Sequence, residues 1–206
     1  MSIEVWLSYF LAVVILSVSP GAGAVNTMST SIRVGVRRSI PAIFGLQAGL
    51  ALDILLVGFG LGALVASSVT AFTVLKWAGA AYLVYLGYRK WTDQGTVEIS
   101  RGQAGEASAW KMFNQAALVN LTNPKALVFL VALFPQFIDP ARPQLMQFFI
   151  LGLTLVGVDI LVMFGYASLA SSLRQLLSSR RHMRIQNRIF GGLFVGAGAL
   201  LASVKS

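Results

Sequence analysis

The 206-residue chain contains no cysteine, which excludes disulfides, thiolate metal sites and cysteine nucleophiles. Its one histidine, His182, stands among arginines, so neither an imidazole metal cluster nor a serine–histidine–acid arrangement has the residues to form. Charge is scarce as well: Asp, Glu, Lys and Arg make up 11% of the residues, against about 25% in a soluble domain. A globular fold of this length must still cover itself with polar surface, and this composition cannot supply it. Nucleotide-binding loops are also missing. "SPGAG" (19–23) lacks the Lys-Ser/Thr of a phosphate loop, and "GFGLG" (58–62) lies inside an apolar run without a preceding strand.

What the chain has instead is hydrophobic length. Apolar residues make up 56% of it, in repeated runs of about 20 residues, each able to cross a ~30 Å hydrocarbon core. The expected fold class is an all-α integral membrane protein with six transmembrane helices, near 5–28, 40–66, 70–88, 113–137, 145–172 and 188–204. The N-terminal "LAVVILSVSPGAGA" ends in small residues like a signal peptide. Its early charge is Glu4 rather than a basic segment, so it reads as a retained first span.

The formal charge of +9 is distributed unevenly. Arg33, Arg37 and Arg38 follow the first span; Arg89, Lys90, Arg101 and Lys111 follow the third; Arg174, Arg180, Arg181, Arg184 and Arg188 follow the fifth. The opposite side has Lys76, Arg142 and Lys205. By the positive-inside rule the basic loops are cytoplasmic and both termini periplasmic. Charge confined to topogenic loops is not a nucleic-acid footprint, so no nucleic-acid partner is expected.

The polar stretch within 92–111 divides the chain into a first three-helix repeat (1–91), a cytoplasmic linker (92–111) and a second three-helix repeat (112–206), together one membrane domain. The halves share features in order. "SPGAG" breaks the first span and "NPKAL" (123–127) the fourth, while "LDILLVGFG" (52–60) and "VDILVMFGY" (158–166) follow in the second and fifth. Pro20 precedes Asp53 by 33 positions, and Pro124 precedes Asp159 by 35. Three is odd, so the second half enters the membrane in the opposite sense, giving two inverted repeats as in many secondary transporters.

Proline inside a span removes a backbone donor and frees carbonyl groups, which in lipid must find protein, ion, substrate or water. Paired breaks therefore point to a binding site near the membrane midplane. The candidate substrate- or ion-binding residues are Pro20, Gly21, Gly23, Asn26, Gln47, Asp53, Asn123, Pro124, Lys125 and Asp159. Gly21 and Gly23 let backbone open toward a ligand, and Asn26 and Gln47 add hydrogen-bonding groups or join helices. Lys125, with Asp53 and Asp159 as expected partners, offers a cation for a carboxylate and an anion for an ammonium, or a proton relay. The competing reading is that Lys125 snorkels to the interface or that these ions lock helices together. Gly45/Gly49, Gly58/Gly62 and Gly192/Gly196 have the four-residue spacing of close helix contacts.

"SPGAG", "WAGAAYLVYLG" (77–87) and above all "NPKALVFLVALFPQFI" (123–138) resemble the LysE/RhtB family of bacterial amino-acid exporters, in order and over nearly the whole chain. Ala22 stands where that family commonly has a second proline. The resemblance implies an inner-membrane secondary exporter of amino acids or close derivatives, coupled to protons, with roles for Pro20, Gly21, Asn123, Pro124 and Lys125. The expected function is efflux of small homoserine-, threonine- or leucine-like amino acids by alternating access. The expected partners are the substrate, protons and the lipid bilayer, with a homodimer compatible with so small a bundle, and with no cofactor, no metal and no enzymatic activity. The alternatives are an exporter of a cation or metal, or a non-transport membrane subunit.

Overall fold

A computed structural model describes residues 1–67, 108–139 and 141–170 continuously, with single positions between 77 and 92 and between 181 and 199. Among the described residues all regular structure is helical. Helix α1 (Ile3–Val18) starts at Ser2, whose hydroxyl accepts from the Val5 amide, and Glu4 sits at its positive pole. It stops before Pro20, and α2 (Ala22–Val34) resumes after a bend of 52°. Gly35, at φ 83°, turns the chain straight into α3 (Val36–Ser67), in a conformation that favours glycine.

The fourth segment is more broken than its hydropathy predicts. Helix α4 (Ala109–Leu121) ends at Thr122, and a short α5 (Pro124–Val128) begins after Asn123. A π-helical turn (Phe129–Leu133) and a 3₁₀ turn (Phe134–Phe137) follow. Pro135 lacks the donor that a regular helix would need there, which accounts for the change of winding. Pro124 is not a kink inside a helix but the first residue of a new one, where its missing N–H is harmless. Helix α6 (Gln144–Ser168) is regular.

Among the described residues, Val36–Gly58 and Gln144–Ser168 are each long and apolar enough to cross a membrane, and the bent α1–α2 pair is a third if its two helices form one span. The expected third and sixth spans and the linker fall mostly outside the described residues.

Helices α3 and α4 pack backbone to backbone. A Cβ on Gly45 would overlap the Phe113 carbonyl, and one on Gly49 the Ala117 carbonyl. Asn120 Nδ2 donates to the Leu46 carbonyl at 2.7 Å across the same contact. Gly58 leaves room for the Phe148 ring. Among the described residues, a Cβ on Gly192 comes no closer than 3.9 Å to Trp91, and one on Gly196 has no neighbour within 4 Å. The close approach lies one residue earlier: a Cβ on Gly191 would sit 2.7 Å from the Gly87 carbonyl oxygen, and the reverse holds for Gly87.

Among the described residues two apolar clusters fill the interior. One holds Tyr9, Val13, Leu50, Ile54, Leu130, Phe134, Leu151 and Leu155. The other holds Met28, Ala42, Ile43, Leu46, Ala116, Met163 and Ala167. Their order along each helix shows that α1 and α6 start on one side of the bundle while α3 and α4 start on the other. The first cluster is aromatic. Tyr9 is fully buried, lies 5.0 Å from Phe137 and 6.0 Å from Phe134 between ring centroids, and donates its hydroxyl to the Leu151 carbonyl. The second is built from methionine and small residues.

Candidate functional site

Between the two clusters, where the broken helices meet, lies a cavity of about 40 Å³. Leu16, Leu46, Leu50, Phe129, Leu155 and Met163 supply its apolar wall; Ser17, Ser19, Asn120, Asn123, Lys125 and Asp159 supply its polar groups. The volume suits a few water molecules rather than an amino acid. A larger ligand requires the walls to part.

The end of α1 forms one pole of the cavity. Pro20 donates no bond back to the helix, which leaves the terminal carbonyls of α1 to find other donors. Side chains from the second half of the sequence provide them. Lys125 Nζ donates to the Leu16 carbonyl at 2.7 Å and to the Ser19 carbonyl at 2.6 Å. Tyr166 donates its hydroxyl to the Val18 carbonyl at 2.6 Å. A cation at a helix C-terminus also meets the negative end of the helix dipole. Lys125 reaches this position because α5 restarts just before it, with the Asn123 side chain accepting from the Lys125 amide at 3.1 Å.

The first turn of α2 forms a second wall through Gly21, Gly23 and Ala24. Its N-cap, Gly21, offers no side chain to the turn's amide groups, so the positive pole of α2 faces the cavity. The backbone at Gly21 is extended, and a Cβ there would lie 3.5 Å from Lys125 Nζ, in ordinary contact. Glycine is therefore not required by conformation at this position; it keeps space open beside the ammonium.

Asp159 brings negative charge from α6. Its Oδ2 accepts from Gln47 Nε2 at 2.8 Å, which fixes the carboxylate against α3. Of the residues expected from sequence, Gly21, Gly23, Asn123, Lys125 and Asp159 line one cavity, Gln47 holds Asp159, and Pro20 and Pro124 form the two breaks. Two stand apart. Asn26 is half-buried on α2, and Asp53 lies farther along α3 at 2% exposure with Oδ2 unpartnered; neither lines the cavity.

Reading the sequence alone missed Ser17, Ser19, Asn120 and Tyr166. Both serines precede the proline in "SVSP" and Asn120 precedes Asn123 by one helical turn, so a local signal existed for three of them. Tyr166 carries no such signal, because backbone carbonyls as acceptors are invisible in a sequence.

The sequence profile of the LysE type translocators matches residues 14–205. The chain belongs to that family. It is 49% identical over 205 residues to the homoserine/homoserine lactone efflux protein of Salmonella typhimurium, covering all of this chain and 99% of the relative. It is 50% identical to an uncharacterized membrane protein of Vibrio cholerae over the full length of both. It is 30% identical to the leucine efflux protein of Klebsiella pneumoniae, covering 98% of this chain and 96% of that one. No solved structure matches the chain at a significant level. Membership makes the chain a membrane translocator with a small-molecule substrate, which agrees with the expected family and membrane class.

Proposed function

We propose that this translocator exports small amino acids of the homoserine type and their close derivatives, by alternating access through the cavity between the two broken helices. The observation that carries the proposal is the polarity of that cavity: Lys125 and the first turn of α2 line it together with Asp159, so one cavity holds a cation, a helix N-terminus and a carboxylate. A zwitterion needs this pair of poles, with its carboxylate toward Lys125 and α2 and its ammonium toward Asp159. The apolar remainder, from Leu46, Leu50 and Leu155, accepts a short side chain. The efflux of homoserine and leucine named for two relatives supports the same substrate class.

The aromatic cluster around Tyr9 and the methionine-rich cluster around Met28 close the cavity on its two sides and serve as its gates. Six spans in two inverted three-helix repeats, 1–91 and 112–206 joined by 92–111, supply the two bodies that rock. The opposed directions of α1 and α4, and of α3 and α6, support this arrangement. The chain acts as a transporter rather than an enzyme, in the bacterial inner membrane with both termini periplasmic, driven by protons and with room in the scheme for a homodimer. Asp159 and Asp53 are the carboxylates available to carry the proton.

The test is efflux from proteoliposomes loaded with the twenty amino acids plus homoserine, with and without an imposed pH gradient. Release of a few small neutral amino acids, accelerated by protons moving the opposite way, is the expected result. Retention of the whole mixture would overturn the substrate assignment.

A further inference from the structure

The break in the first span gathers oxygen. The carbonyls of Leu16 and Ser19 converge on one ammonium at the end of α1, and Ser17 and Ser19 line the same cavity. Both serines are buried, at 3% and 1% exposure, and neither hydroxyl has a hydrogen-bond partner. Unwound carbonyls and half-helix C-termini with neighbouring hydroxyls are the ligands with which membrane transporters hold a monovalent cation. Here the cation at the carbonyls is the ammonium of Lys125, at 2.7 and 2.6 Å.

We propose that Lys125 is a tethered cation, seated in an oxygen site at the α1–α2 break that would otherwise bind a free sodium ion. The site is built from one half of the chain and filled from the other, so the lysine ties the two broken helices together as an ion would. A tethered cation cannot leave with the substrate. It supplies the positive charge that the α1 carbonyls need, and with that group covalently held in the site the protein has no requirement for sodium. The consequence for transport rests on the exporter reading; the existence of the site does not.

The experiment compares purified wild type, Lys125→Ala and Lys125→Gln by thermal unfolding in NaCl, KCl and N-methylglucamine chloride at equal ionic strength. Lys125→Ala should gain a saturable, sodium-selective rise of about 5 °C or more once sodium is in hundredfold excess over its dissociation constant. Lys125→Gln, which keeps a neutral donor in reach, should gain less, and wild type nothing. Adding Ser17→Ala or Ser19→Ala to Lys125→Ala should diminish the sodium response. Equal unfolding temperatures for Lys125→Ala in all three salts would overturn the proposal, as would the same sodium response in wild type. Failure of both variants to fold even in sodium would overturn it too, since the ion is claimed to replace the ammonium. In proteoliposomes, wild-type efflux should be unchanged when sodium is replaced by N-methylglucamine. An absence of efflux from wild type in every salt would count against the exporter reading and leave the binding result intact.

Discussion

Gln47 Nε2 lies 2.8 Å from Asp159 Oδ2 and joins the middle of α3 to the middle of α6. The bond orients the carboxylate, and Asp159 itself lines the cavity. Replacing Asp159 by Asn keeps an oxygen for Gln47 to donate to and removes only the charge. A charge-assisted hydrogen bond to a substrate ammonium contributes about 1.5–3 kcal/mol. Asp159→Asn should therefore reach the membrane in normal amount and lose about tenfold or more in zwitterion efflux. Normal efflux from normal amounts of Asp159→Asn would remove this carboxylate from the site.

Gly21 faces the Lys125 side chain at ordinary contact distance and has an extended backbone that any residue can adopt. Gly21→Ala and Gly21→Val should fold, yet each places carbon in a cavity of about 40 Å³. Discrimination by apolar bulk is worth about 1–3 kcal/mol per methylene. Leucine efflux should fall before homoserine efflux, and further with Val than with Ala. A parallel loss of both substrates would place Gly21 in the moving hinge rather than in the specificity wall.

Much of this site was legible because membranes make polar residues expensive. The two prolines, Lys125 and Asp159 stand out against apolar text, and four-residue glycine spacing located the α3–α4 contact at Gly45 and Gly49. The sequence did not show where those side chains point. Lys125 donates to the carbonyls of Leu16 and Ser19, acceptors that every residue carries and no sequence displays. Asp53 has the same motif context as Asp159, yet a shift along the helix puts it outside the cavity wall. The π and 3₁₀ turns after Val128 were hidden in a run whose hydropathy predicts uninterrupted helix. Pro135 was the available clue.

The α3–α4 contact predicts a sharp contrast among glycines. A Cβ at Gly45 or Gly49 meets backbone that cannot move independently of α4, whereas Gly157 and Gly165 on α6 have nothing within 4 Å among the described residues. Overpacking of this kind costs about 1–3 kcal/mol, and a change at an open position stays within about 0.5 kcal/mol. Gly45→Ala and Gly49→Ala should lower the unfolding temperature of the detergent-purified protein, while Gly157→Ala and Gly165→Ala should leave it unchanged. Equal stability for all four would mean that α3 and α4 are not packed through their backbones.

The absence of cysteine makes the topology directly measurable, since one introduced thiol has no background. In the proposed two-repeat arrangement Gly105 falls in the linker, and Ser206 is the last residue of the sequence. If three spans lie on each side of the linker, as proposed, those positions lie on opposite faces of the membrane, and the positive-inside rule predicts that Gly105 is cytoplasmic. A membrane-impermeant thiol reagent should label Ser206→Cys in intact spheroplasts and Gly105→Cys only after lysis. The reverse pattern would invert the orientation while keeping the repeats. Labelling of both from outside would require an even number of crossings between residue 105 and the C-terminus, and an inverted pair of three-helix units could not then be built from this chain.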